Sequence, residues 1–321
     1  MTVDQPAPAG SPDPAEATEL DISMPFSRAD AVSAGLKQST LRGLRFKRLF
    51  AGVYVAADVP ATPLQRVQAA LIPFHGNGFA SHASAARVYG LAIPALPEEH
   101  VTVVEPRHRR THPGIVCHVV RRGQTVRIDG VDVSAPEQLF VELADQLTLV
   151  DLVVVGDQLV RDHGVRPDGL RAYAAASRLR GFARAKEAAA YVRAGVRSPM
   201  ETRLRMLLVL AGLPEPEINT LVGSENGTKR QHDLLYRVAK VAVEYDGRQH
   251  VEVVQQWESD LERREDADDD GWRIVVVIAK GVFVEPEKTV LRVWRLLRER
   301  GEPGVPATLS DAWRPHFPGR G

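Results

Sequence analysis

The stretch HDLLYRVAKVAVEYDGRQH, residues 232–250, decides the reading of this chain. An apolar, β-branched run through Val238, Val241 and Val243, with Ala239 and Ala242, reads as one arm of a β-hairpin. It carries Glu244 and Asp246 on one parity and breaks at Gly247, while Asp233 stands on the preceding arm and His250 follows. Residues two apart on a strand share a face, so Glu244 and Asp246 point the same way. Like charges so placed repel one another unless a cation or an ion pair offsets them. Such a cluster therefore asks for a counter-ion.

Working outward, Ser198-Pro199-Met200-Glu201 is a helix start, with Ser as N-cap, Pro at the first position and Glu at the third. Leu204, Leu207, Leu208 and Ala211 give its buried stripe, and Gly212 stops it. Strands are expected over Ile218–Val222, around Asp233 and over Val241–Asp246. A charged helix over about 254–268, a β-branched strand over Trp272–Ile278 and a last helix over Pro286–Glu299 complete the order αβββαβα.

Two carboxylates on adjacent antiparallel strands suit a hard divalent cation, which takes one or two protein oxygens and fills its shell with water and phosphate. Such an ion activates water and neutralises charge on a scissile phosphate. Asp233 and Glu244 are the expected metal pair, with Mg²⁺ or Mn²⁺ as the ion. Asp246 is a third ligand or a turn residue. His250 positions water or protonates the leaving group. Glu201 joins the site or serves only as a capping residue.

The order of elements, with an acid on the first helix, Asp233 on the second strand and Glu244 on the third, resembles the PD-(D/E)XK nuclease core. VAVEYDGRQH, the following W..D..R helix and GWRIVVVI are similar to the very-short-patch-repair-like endonuclease domains of unknown function. The resemblance covers about residues 197–298 and implies phosphodiester hydrolysis. Where the general motif has a lysine two residues after the glutamate, this chain has Asp246. The missing cation would come from His250, Arg248 or Lys280. Failing that, the domain is a degenerate nuclease fold in a non-catalytic DNA-binding regulator or antitoxin-like protein.

Ahead of this domain the charge is uneven. Residues 1–20 hold no basic and four acidic residues, residues 21–197 hold 23 basic and 16 acidic, and residues 198–321 hold 18 and 21. The Pro- and Ala-rich leader, residues 1–20, is expected to be disordered. Ser27 caps a helix with Ala29, Val32 and Leu36 at helical spacing. A second short helix from Ser39 or Thr40 through Leu44 and strands over Phe46–Leu49 and Val53–Val55 give a winged helix over 21–60. Arg42 and Arg45 on its second helix and Lys47 and Arg48 at the wing are the expected DNA contacts. Residues 61–196 read as a mixed α/β region, with an Asp129-Gly130 hairpin and a helix capped by Ser134 with Pro136 and Glu137. The basic loop Arg107–His112 reads first as solvated, and the histidines show no metal-ligand spacing. SRADAVSAGL after Phe26, LFAGVYV, GFASHASAARVYGL and SAPEQLFVELAD resemble the AbiEi-type antitoxin-like region of actinobacterial proteins, which implies DNA binding by the winged helix.

The expected class is thus α+β or α/β: a winged helix, an α/β region to 196, a nuclease-like domain over 197–300 and a loose tail over 301–321, whose Trp313 and Phe317 either dock back or stay exposed. Cys117 is the sole cysteine, so no disulfide forms within the chain. No apolar run approaches the ~18 residues of a membrane span, and a signal peptide's basic start is lacking. A cytoplasmic protein with DNA as partner is expected. A homodimer and a toxin or other protein partner stay open.

Overall fold

The computed structural model describes residues 20–223, 229–247 and 271–319, a mixed arrangement of helices and sheets. The chain divides into two compact units, one of Met1–Phe79 with Glu98–Arg121 and one of Ala80–Pro97 with Arg122–Gly321.

In the first unit β1 (Phe26–Ser27) runs straight into α1 (Arg28–Ser33). Ser27 Oγ accepts from the Asp30 N–H at 3.0 Å, and the Asp30 carboxylate accepts from the Ser27 N–H at 2.9 Å. This closed capping box satisfies two otherwise orphaned donors. Gly35, at φ +80°, ends the helix while the Leu36 N–H reaches back to the Ala31 carbonyl at 2.9 Å.

The second helix expected through Leu44 is instead a single 3-10 turn, Thr40–Arg42. Ser39 offers it no side-chain cap and Gly43 is extended, so the nucleus never repays its ordering cost by propagating. β2 (Phe46–Phe50) and β3 (Val53–Ala56) follow, and the sheet order is β1-β3-β2. Phe26, Ala31, Leu41, Phe46 and Tyr54 close over this sheet, with Phe26 and Phe46 edge to face at 5.4 Å.

Capped by Thr62, α2 (Pro63–Leu71) packs Ala69 and Ala70 against Phe50, Val53, Val101, Val103 and Ile115. The strand β4 (Gly78–Ala80) comes next in the chain. β5 (Glu99–Val103) and β6 (Ile115–Val119) pair in parallel and stack the His100 and His118 rings, with Nδ1 and Nε2 2.9 Å apart. One ring nitrogen there donates and the other accepts. In the loop between these strands Arg107 pairs with Glu105 at 2.7 Å, Arg110 donates to the Arg107 and Arg109 carbonyls, and His112 Nε2 lies 2.9 Å from the Ala51 carbonyl.

The second unit begins with Ala80 and α3 (His82–Val88), and Ala80 pairs in parallel with Val133. β7 (Thr125–Ile128) and β8 (Val131–Ser134) form a hairpin on Asp129 and Gly130, both left-handed at φ +46° and +78°. Ser134 does not cap the next helix, because it is the last residue of β8. Its Oγ donates to the buried Glu142 carboxylate at 2.8 Å, and Ala135 becomes the N-cap of α4 (Pro136–Leu143). Burial pushes the Glu142 carboxyl above its ordinary range, against hydrogen bonds from Gln138, Ser134 and the His82 N–H.

Four more helices follow, α5 (Leu149–His163), α6 (Pro167–Ala176), α7 (Phe182–Tyr191) and α8 (Pro199–Leu210). Gly156 lets α5 lie close to its neighbours: a Cβ there would stand 2.4 Å from Val192 Cγ2 and 3.0 Å from the Phe140 ring. α5 and α8 are tied by a buried ion pair, Arg205 Nη2 to Asp157 Oδ2 at 2.9 Å, both side chains at most 2% exposed. Thr202 Oγ1 donates to the same carboxylate, and Glu215 and the Tyr191 carbonyl take further Arg205 protons.

The last sheet has the order β12-β11-β10-β9, built from β9 (Glu217–Gly223), β10 (Lys229–Tyr236), β11 (Val241–Tyr245) and β12 (Arg273–Val277). β10 pairs antiparallel with both β9 and β11, whereas β11 and β12 are parallel. Antiparallel neighbours need only short turns, and the parallel pair needs a long crossover. The helix expected over 254–268 lies outside the described residues, as does the leader through residue 19.

α9 (Ala279–Phe283) and α10 (Pro286–Glu299) close the domain. Of the two readings of the tail, residues up to Gly319 show the docked one. Trp313 and Phe317 are buried, the Trp294 indole donates to the Pro306 carbonyl at 2.9 Å, and the Ser310 N–H donates to Ala211 at 2.9 Å. Two large apolar side chains outweigh the Pro and Gly content. Among the described residues no helix is long and apolar enough to cross a membrane.

Candidate carboxylate site and basic surfaces

The β10–β11 ladder runs from Tyr236↔Val241 to Leu234↔Val243. The Tyr245 N–H, two residues past Val243, bonds to the side chain of Asp233, whose Oδ2 accepts it at 2.9 Å. Asp233 thus sits where a side chain has taken over from the backbone ladder.

Its neighbour His232 is buried, lies nearly parallel to the Trp272 ring at 6.0 Å, and places Nδ1 2.7 Å from Glu244 Oε1. Glu201 arrives from the first turn of α8. Its N–H bonds Ser198 Oγ at 3.1 Å, which is the expected cap. Its carboxylate does not return to the cap residue. Oε2 accepts instead from the Arg197 N–H at 2.9 Å and from Asn219 Nδ2 at 2.8 Å. Asn219 adopts the left-handed backbone, φ +48°, and its amide also donates to the Gly195 carbonyl. A short polar side chain tolerates that conformation better than a branched one.

Asp233 stands out electrostatically. Burial, with the charges of Glu201 and Glu244 adding to it, holds its carboxyl at about 6, while the Tyr245 N–H and His232 pull the other way. Acids from α8, β10 and β11 therefore act on one point. Asp233 and Glu244 each spend one oxygen on the bond just described, and among the described residues the second oxygen of each has no hydrogen-bond partner. Asp233 and Glu244 offer hard oxygen donors, the type a divalent cation takes, but with Glu201 they do not bring three ligand atoms within 4.8 Å of one another.

The remaining expected residues fare differently. The Asp246 N–H bonds the Val277 carbonyl at 2.9 Å, which fixes the end of β11 on β12. His250 and Arg248 lie outside the described residues. Lys280 is bound to Glu285 at 3.1 Å and shares that carboxylate with Lys288. It belongs to an exposed ion-pair cluster on the surface. His232 and Asn219 were missed in the sequence. His232 had a signal in its place directly before Asp233, whereas Asn219 is recognisable only through its backbone conformation.

In the first unit Arg42, Arg45 and Arg48 are exposed around the 3-10 turn and β2, and Leu44 between them is 99% exposed. Lys47 differs: its ammonium donates to the carbonyls of Val59 and Ala57. It ties the end of the hairpin to the chain that follows.

No family model matches the chain. It is similar to two uncharacterized proteins of Mycobacterium tuberculosis, one from strain CDC 1551 / Oshkosh and one from strain ATCC 25618 / H37Rv. Each is 26% identical over 251 residues, 78% of this chain and 92% of the relative.

Proposed function

We propose that the chain is a metal-dependent endonuclease of the PD-(D/E)XK type, brought to DNA by a winged-helix-like element in its first unit. The observation that carries this reading is the half-buried Asp233 carboxyl, held at about 6 by burial and by the charges of Glu201 on α8 and Glu244 on β11.

Asp233 and Glu244 would hold the ion, Mg²⁺ or Mn²⁺, through their unengaged oxygens. Such an ion supplies a polarised water and neutralises charge on the scissile phosphate. The chain's own residues do the positioning. His232 fixes the Glu244 rotamer at 2.7 Å, the Tyr245 N–H fixes Asp233, and Asn219 with the Arg197 N–H fixes Glu201. In the first unit the order β1, α1, turn, β2, β3 with a β1-β3-β2 sheet supports the DNA-reading element, although its second helix is only a turn. Arg42, Arg45 and Arg48 would meet the phosphates.

Cleavage of supercoiled DNA or of RNA by the purified chain with Mn²⁺, lost in Asp233→Asn and Glu244→Gln, tests the reading. An inert wild type whose metal-induced thermal shift survives both substitutions overturns it. One observation favours a second reading, a DNA-binding regulator with a degenerate site: Asp246 stands at the motif lysine and Lys280 is committed to Glu285. In that case the chain binds DNA and cuts nothing.

A further inference from the structure

Along β12, the edge strand of the last sheet among the described residues, β12 and α10 enclose two adjoining grooves of about 480 and 240 Å³. Their floor is apolar, with Val275, Leu291 and Leu296. Five cations line them, Arg273, Lys280, Lys288, Arg292 and Arg295, against two acids, Glu285 and Glu299, a net of three positive charges. Glu285 already answers Lys280 and Lys288. Arg273, Arg292 and Arg295 are exposed, and among the described residues none of the three has an acidic partner.

Lys288, Arg292 and Arg295 recur at helical spacing on one face of α10. From Lys288 to Arg295 the helix advances about 10 Å, the axial rise of about three phosphates on one strand of a duplex. The groove also lies in register with the carboxylate site. Val276 is the parallel partner of Glu244 and Val277 of Tyr245, so the C-terminal ends of β11 and β12 share one end of the sheet.

We infer that this β12–α10 groove is a track for the phosphate backbone of a nucleic-acid strand that passes the carboxylates. The inference rests on the nuclease reading and adds to it the surface that holds the substrate. Guanidinium groups without carboxylate partners supply forked donors for phosphate oxygens. Exposed cations on an edge strand also discourage edge-to-edge pairing, and the Arg292 guanidinium does approach the Val276 carbonyl at 3.5 Å. That role needs no nucleic acid, so binding separates the two.

The experiment is a salt titration of the full chain against a fluorescently labelled DNA duplex, read by anisotropy, for wild type and for Arg292→Ala/Arg295→Ala. Removing two phosphate contacts should flatten the plot of log affinity against log salt by about 2 and weaken binding at least about tenfold at low salt. The thermal midpoint should not move, because both side chains are exposed.

A wild type that binds and cuts, with the double variant matching its slope and affinity, overturns the track and leaves the nuclease reading standing. Binding that falls as expected in a wild type that cuts nothing supports the track and overturns the enzyme. Capture of polyglutamate in preference to DNA assigns the groove to an acidic protein and overturns the track.

Discussion

Asp233→Asn should stabilise this protein when no metal is present. The substitution keeps the shape and keeps an oxygen for the Tyr245 N–H, so it removes charge and little else. A carboxyl raised from 3.8 to about 6 contributes stability that is complete below the lower value and is lost as pH rises through the upper one. The wild type therefore carries its full penalty at pH 8, and the asparagine variant carries none. A shift of about two units corresponds to a ceiling of about 3 kcal/mol. Asp233 is only half-buried, and water screens part of that, so about 1–2 kcal/mol is expected. At pH 5 only about half of the penalty has developed. The assay is thermal unfolding in chelator at pH 5 and pH 8. The variant should melt a few degrees higher at pH 8, with a smaller gap at pH 5. Excess Mn²⁺ should narrow the gap at pH 8 by stabilising the wild type alone. An asparagine variant that melts lower than wild type at pH 8, or by the same margin at both pH values, refutes the electrostatic reasoning.

Three other outcomes follow from the geometry. Asp157→Ala leaves the buried Arg205 cation without its main anion and should cost about 3–5 kcal/mol in chemical denaturation. Gly156→Ala should lower stability by about 1–3 kcal/mol, because the new Cβ meets Val192, whereas the same change on an open helix face would help. In electrophoretic or anisotropy assays, Arg42→Ala with Arg45→Ala should reduce the salt dependence of DNA binding by about 2 in slope, and Lys47→Ala should loosen the hairpin with a smaller effect on the slope.

The parts of the fold written in local chemistry were legible in the sequence. Ser27 and Ser198 cap helices as expected, Asp129-Gly130 turns a hairpin, and the alternation through Val241 and Val243 gives β11. Where a residue had two local options, tertiary partners decided. Ser134 gave up its cap for a buried carboxylate eight residues on, and Glu201 took a cap's position while sending its carboxylate to Asn219. The short helix after Ser39 lost to its own glycine, and Trp313 found a buried site that the Pro-rich tail concealed. Of the candidate site, the placement of Glu201 on α8, Asp233 on β10 and Glu244 on β11 was legible from the helix-start and strand patterns. The groups that hold them were not, since Asn219 and the Tyr245 N–H act through backbone geometry that periodicity does not encode.

The Asp157–Arg205 tie has a practical consequence for anyone dissecting the chain. Residue 197 is an inviting place to cut, just ahead of a well-capped helix. A fragment starting there would keep Arg205 and discard both Asp157, its principal counter-charge, and the Tyr191 carbonyl. Such a piece would be expected to aggregate or melt early, and its inactivity would say nothing about the acid cluster. Any transplant of that cluster into another scaffold has to carry α5 along with α8.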